Sequence, residues 1–206
     1  MTQLQPGGMV HAGGIVIKGD TAIVADLHAI RGYNIETGEL TFTQRAIVGV
    51  SEMGGAMNIA LDGDNLILSS WFDGDVRIWD PVNQQRVARY EGLASPVAAV
   101  RYEGNIVVAE HGKSRVVSLS DSGEETVLAE NLPAPTGLVA DHGNLYVSDR
   151  KLGQILLVAS KGKRLETMAV VASHLTTPEG FVITEQGFVV VEADVGLVTV
   201  VNAEGA

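Results

Sequence analysis

The chain has 206 residues, 46% of them hydrophobic, 24 glycines, no cysteine and a formal net charge of −11. That is enough apolar material for a domain with a real core, and the missing cysteines exclude disulfides and thiolate metal sites. The acidic balance disfavours phosphate backbones and anionic membrane surfaces, and no apolar run reaches the ~18 residues of a membrane-crossing helix, so the chain reads as soluble with neither nucleic acid nor membrane as a partner.

Residues 1–12 contain Pro6-Gly7-Gly8 and read as a tail or as a strand that closes a ring. Met1 to Val10 has neither a basic nor an apolar leader pattern, which leaves the compartment open between the cytoplasm and a mature exported form. From Gly13 onward one unit is written five times. Its two marks are Gly13 and Asp26, then Met57 and Ser70, Val97 and Glu110, Thr136 and Asp149, and Glu179 and Glu192, always thirteen residues apart. The step between units is 44, 40, 39 and 43 residues. Each pair brackets a turn such as Asp62-Gly63-Asp64-Asn65 or Asp141-His142-Gly143-Asn144, the strongest short-range hairpin signal. Third strands are expected at Val76 to Asp80, Arg115 to Ser120, Gln154 to Ala159 and Gly196 to Asn202. More polar fourth strands follow, as at Glu125 to Ala129 and Leu165 to Val171.

A period of ~40–45 residues with about four strands per unit predicts an all-β chain, a β-propeller of four-stranded antiparallel blades. The blades fall at about 13–48, 57–89, 97–129, 136–171 and 179–206, in a single propeller domain spanning 1–206. Blade five stops after its third strand. Either residues Thr2 to Val10 pair with it and five blades close a small ring, or the chain is a piece of a six- or seven-bladed propeller. No 3.6-residue pattern long enough for a helix occurs.

The matching residues Pro135-Thr136-Gly137, Gly143 to Asp149 and Gly153-Gln154-Ile155, with Pro178-Glu179-Gly180 repeating the first of these, resemble the NHL-repeat, SMP-30/gluconolactonase-like and virginiamycin-B-lyase-like propellers. The resemblance covers all five repeats and implies the fold more specifically than any one activity. In the lactonase-like members it implies a divalent metal held by a Glu at the start of an innermost strand, with Asn and Asp at others. Glu179 matches the Glu; Asn58 lies one position off the column. In the lyase-like members it implies a His with Glu partners, and Glu110-His111 resembles that pair, without a second His in register.

The register alone puts Gly13, Met57, Val97, Thr136 and Glu179 in one column and Asp26, Ser70, Glu110, Asp149 and Glu192 in the next, on the face where first strands begin and second strands end. Four acids in the second column, with Glu179, form a candidate site for Ca²⁺ or Mg²⁺, or for a polyhydroxylated or cationic small molecule. The alternative is that a repeated polar position merely hydrogen-bonds its loop or pairs with Arg77, Arg115 or Arg150. Glu179 stands out because nothing in the repeat demands an acid there; it and His111 are the candidate catalytic groups. Thr136, Asn58, Trp71 and Arg150 are the candidate ligand contacts, while Trp79 reads as core. The functional expectation is a propeller that binds a small molecule, a divalent cation or a protein partner at the channel mouth. Its alternative is a metal-dependent lactone or ester hydrolase, or a lyase.

Overall fold

The computed structural model describes residues 8–47 and 49–202. The chain forms two compact units, Met1–Ser95 and Pro96–Ala206. Both are built from antiparallel sheets in which sequence neighbours pair, which is the blade pattern of a β-propeller.

The first unit holds two four-stranded blades. Blade one is β1 (Ala12–Lys18), β2 (Thr21–Asp26), β3 (Ala29–Asn34) and β4 (Leu40–Arg45). Blade two is β5 (Asn58–Asp62), β6 (Asn65–Ser70), β7 (Asp75–Asp80) and β8 (Gln85–Tyr90). The second strands β2 and β6 are buried at every position after the first, as expected when both faces are covered. Ile23, Ala25 and Ile30 of blade one pack against Ile59, Leu66, Leu68 and Trp79 of blade two. Trp79 is 2% exposed and its Nε1 donates to Gln44 Oε1 at 2.8 Å, so the indole is core as expected.

The second unit holds blade three, of β9 (Pro96–Tyr102), β10 (Asn105–Glu110), β11 (Arg115–Leu119) and β12 (Glu125–Glu130). Blade four is β13 (Pro135–Asp141), β14 (Asn144–Asp149), β15 (Gln154–Ser160) and β16 (Lys163–Ala172). Blade five is β17 (Pro178–Thr184), β18 (Gly187–Glu192) and β19 (Leu197–Val201). Val107, Ala109 and Val116 join Leu145, Val147 and Val158 in one apolar layer. Phe181, Phe188 and Val190 join Ile155, Ala172 and Leu175 in another. The opposite face of blade five leaves Val182, Val191, Val198 and Val200 exposed.

The third strands start and stop within a residue or two of the expected positions. Among the described residues the helical content is one 3-10 turn, His111–Lys113. The closing-strand expectation falls largely on Thr2 to Gly7, which lie outside the described residues. Gly8 to Val10 belong to no strand, and blade five has three strands among the described residues.

Candidate functional site

A carboxylate at the end of a buried strand needs partners, because an unpaired charge in an apolar layer is strongly destabilising. Each second-column acid finds them inside its own blade. Asp26, at the end of β2, is 2% exposed. Its Oδ1 accepts the N–H groups of Val10 (2.8 Å) and His11 (2.7 Å), and its Oδ2 accepts Nε of Arg31 at 2.9 Å. Burial pushes this carboxyl up, but the His11 N–H and the Arg31 guanidinium outweigh it and hold it below its ordinary value. Glu110, fully buried at the end of β10, pairs with Nε of Arg115 and with Nζ of Lys113 at 3.4 Å. Asp149, fully buried at the end of β14, accepts the N–H groups of Ala134 (3.0 Å), Lys151 (3.0 Å) and Leu152 (2.9 Å). Glu192, at the end of β18, accepts the Thr199 hydroxyl and the Thr176 N–H, which together hold it below its ordinary value.

Asp26, Asp149 and Glu192 share one device: each catches an N–H lying 15 or 16 positions upstream, on the segment that leads into its blade's first strand. Blade two departs from the column with Ser70. Its acid sits across the ladder at Asp75, the pairing partner of Ser70, fully buried, with Oδ2 at 2.6 Å from both Arg77 and Arg89. The second-column acids therefore serve as blade clamps. The register placed them on one end of the strands but says nothing of burial, and their oxygens turn inward to the polypeptide. Among the described residues no three His, Asp or Glu side chains gather into a metal-ligating group.

Glu179 is different. It starts the innermost strand of blade five directly after Pro178, and its side chain is 33% exposed. Arg150, in the loop after β14, donates from Nη1 to Glu179 Oε1 at 2.9 Å and from Nη2 to Asp194 Oδ1 at 2.5 Å. The result is an acid–guanidinium–acid row drawn from two loops and a strand start. Burial pushes the Glu179 carboxyl above its ordinary value; Arg150 opposes this, Asp194 adds to it and His111 opposes it weakly. His111 itself opens the 3-10 turn after β10.

The other candidates spread out. Thr136, on β13, directs its hydroxyl to the Pro178 carbonyl at 2.9 Å. Asn58 lies in the first unit, where its Oδ1 accepts the Ile59 N–H at 2.7 Å and stands where a side chain on Gly14 would go. Trp71 is 42% exposed on the loop after β6, beside Phe72 at 76%. So Glu179, Arg150 and Thr136 come together in the second unit, with His111 in electrostatic range. Asp194 and Ser148 were not among the expected site residues. Asp194 carries a sequence signal, since it lies two positions past the second-column acid Glu192, as Arg150 lies one past Asp149. Ser148, which donates to the Glu179 carbonyl at 2.6 Å, looks in sequence like an ordinary strand residue.

No family model matches the chain, and no curated protein does. Solved structures match over nearly its whole length at low identity. It is similar to regucalcin, a calcium-binding protein from Agrobacterium tumefaciens, with TM-score 0.69 and 13% identity over 96% of this chain and 72% of that one. A streptogramin B lyase matches with TM-score 0.70 and 11% identity, over 98% of this chain and 72% of that one. A chain of a nidogen/laminin complex matches with TM-score 0.77 and 16% identity, over 94% and 76%. These likenesses establish the β-propeller fold.

Proposed function

We propose that the chain is a ligand-binding propeller whose site is centred on Glu179, and that it takes a small polyhydroxylated or cationic molecule. The observation that supports this is the row Glu179–Arg150–Asp194: a partly exposed acid that no repeat position requires, beside a guanidinium and a second acid. Mixed charges at one surface point supply both donors and acceptors to hydroxyl groups, and either acid can exchange Arg150 for a ligand cation. A bare divalent ion fits the row less well. Ca²⁺ takes about 6–8 oxygens, whereas here two carboxylates are already held by Arg150. The calcium-binding description of one similar structure keeps Ca²⁺ among the probes. Nucleic acid remains disfavoured by the charge of −11.

A second reading is catalytic. The raised Glu179 carboxyl suits a general acid or base, as a lyase or lactone hydrolase would need. The likeness to a streptogramin B lyase is one of fold and leaves that activity as an assay to run.

The test is thermal melting with aldonic acids and lactones, with polyamines, and with CaCl₂ or MgCl₂, on the wild type and on Glu179→Gln. A ligand that binds only the folded state raises the melting point. The expected result is a rise with one organic class that Glu179→Gln abolishes. A rise with Ca²⁺ alone, abolished by the same variant, would move the reading to a cation site. A wild type that responds to none of the probes would refute it.

A further inference from the structure

Two hydroxyls of blade four hold the backbone of Glu179 from both sides. Thr136 Oγ1 donates to the Pro178 carbonyl at 2.9 Å, and Ser148 Oγ donates to the carbonyl of Glu179 itself at 2.6 Å. Those two carbonyls belong to the two peptide planes that meet at the Glu179 Cα. Each peptide is planar, so fixing both planes fixes φ and ψ at this residue, and with them the direction of its Cα–Cβ bond. The hydroxyls are themselves oriented. Ser148 Oγ accepts the Gly137 N–H at 2.8 Å, which turns its own proton to Glu179, and it lies 3.0 Å from Thr136 Oγ1. A Cβ on Gly137 would stand 2.6 Å from the Glu179 carbonyl oxygen and 2.8 Å from Ser148 Oγ, so only glycine lets the two strands come this close.

The repeat gives an independent reason to single these residues out. The column of Thr136 otherwise holds Gly13, Met57, Val97 and Glu179, and the column of Ser148 holds Ala25, Ser69, Ala109 and Val191. Blade four alone combines hydroxyls at both positions, and it is the blade packed against the one that carries the unrequired acid. A propeller blade does not need this pair, as the other four blades demonstrate by lacking it.

We propose that Thr136 and Ser148 are positioning residues for Glu179, acting through its backbone to aim its carboxylate at Arg150 and at the ligand. This rests on the reading of Glu179 as the functional acid. It also assigns Thr136 a different role from ligand contact, since its hydroxyl is turned to the backbone, 2.9 Å from the Pro178 carbonyl and 3.3 Å from that of Ser148. Side-chain aim matters at this scale because a misplacement of ~1 Å costs up to about a hundredfold in a functional site.

The test uses Thr136→Val, Ser148→Ala, the double variant and Thr136→Ser, which keeps the hydroxyl. The first readout needs no ligand: the Glu179 carboxyl is followed by NMR across pH, its resonance identified by its loss in Glu179→Gln. The expected result is that the double variant moves this titration back toward the ordinary carboxylate range while Thr136→Ser leaves it in place. The second readout is binding of whichever probe the wild type answers to, with a loss on the order of tenfold in the double variant and near-wild-type binding in Thr136→Ser. A double variant that melts lower but keeps the Glu179 titration and the binding unchanged would overturn the proposal, since the hydroxyls would then be packing alone. If the double variant does not fold, Thr136→Val, at a partly exposed position, decides the matter by the same two readouts. A wild type without any ligand response refutes the ligand reading, whereas an unmoved titration refutes the positioning, so the two failures are distinct.

Discussion

Asp149→Asn separates a structural acid from a functional one. The substitution keeps the size of the side chain and one oxygen. With that oxygen in place of Oδ1, the bonds to the Lys151 and Leu152 N–H groups survive, and the new NH₂ faces the N–H of Ala134, donor against donor. The Ala134 bond is buried, so its N–H loses a charge-assisted partner and has no water to replace it, a cost of about 2–3 kcal/mol. Asp149→Ala frees all three N–H groups. Two of them are only partly buried and regain water, so the total rises to about 3–4 kcal/mol. Urea unfolding followed by far-UV circular dichroism measures this. Tryptophan fluorescence is the wrong probe, because Trp71 and Trp79 both lie in the Met1–Ser95 unit and Asp149 does not. An Asp149→Asn variant within about 0.5 kcal/mol of the wild type, at unchanged m-value, would refute the clamp.

Two further outcomes follow from the same geometry. Asp75→Asn removes the buried charge that Arg77 and Arg89 share, while Arg77 keeps Asp73 at 3.2 Å and Arg89 keeps Glu91. A loss of about 1–3 kcal/mol is expected, read by tryptophan fluorescence since Trp79 lies on the same strand. Glu179 works in the opposite sense. Its folded-state carboxyl titrates above the ordinary 4.5, so the folded chain holds this proton longer than the unfolded one. Its contribution is fully present below 4.5 and is lost as pH rises through the folded value. Glu179→Gln should flatten the melting-temperature profile in that window, and a wild-type profile superimposable on that of the variant would count against the raised carboxyl.

The fold was legible because the chain repeats itself. Thirteen residues between marks, a Gly or Asn turn midway and matched apolar columns such as Val24, Leu68, Val108, Val147 and Val190 fix the hairpins without reference to anything distant. The partner of Glu110 was half legible too, since Arg115 opens the strand directly across the ladder. The backbone partners of the other acids were not. Val10, His11, Ala134 and Thr176 offer backbone N–H groups, and a backbone donor has no sequence signature. Nor does the register tell whether a strand-end carboxylate points to solvent or inward; that depends on how far the next segment folds over it. The Thr136–Ser148 grip reaches from one blade to the next across a separation of 31 residues for Ser148 and Glu179, beyond what matching columns can reveal.

The clamps have a consequence for the order in which the chain acquires its structure. Asp26, Asp149 and Glu192 each draw partners from at most 16 residues upstream and a few residues downstream, so a blade leaving the ribosome carries with it the donors that neutralise its own buried charge. No nascent blade has to wait for its successor to relieve a stranded carboxylate, and such short-range closure favours rapid, sequential folding. Glu179 obeys a different timetable. Its aim requires Ser148 and Arg150 of a finished blade four and Asp194 of a nearly finished blade five, which makes the proposed site one of the last parts of the second unit to mature.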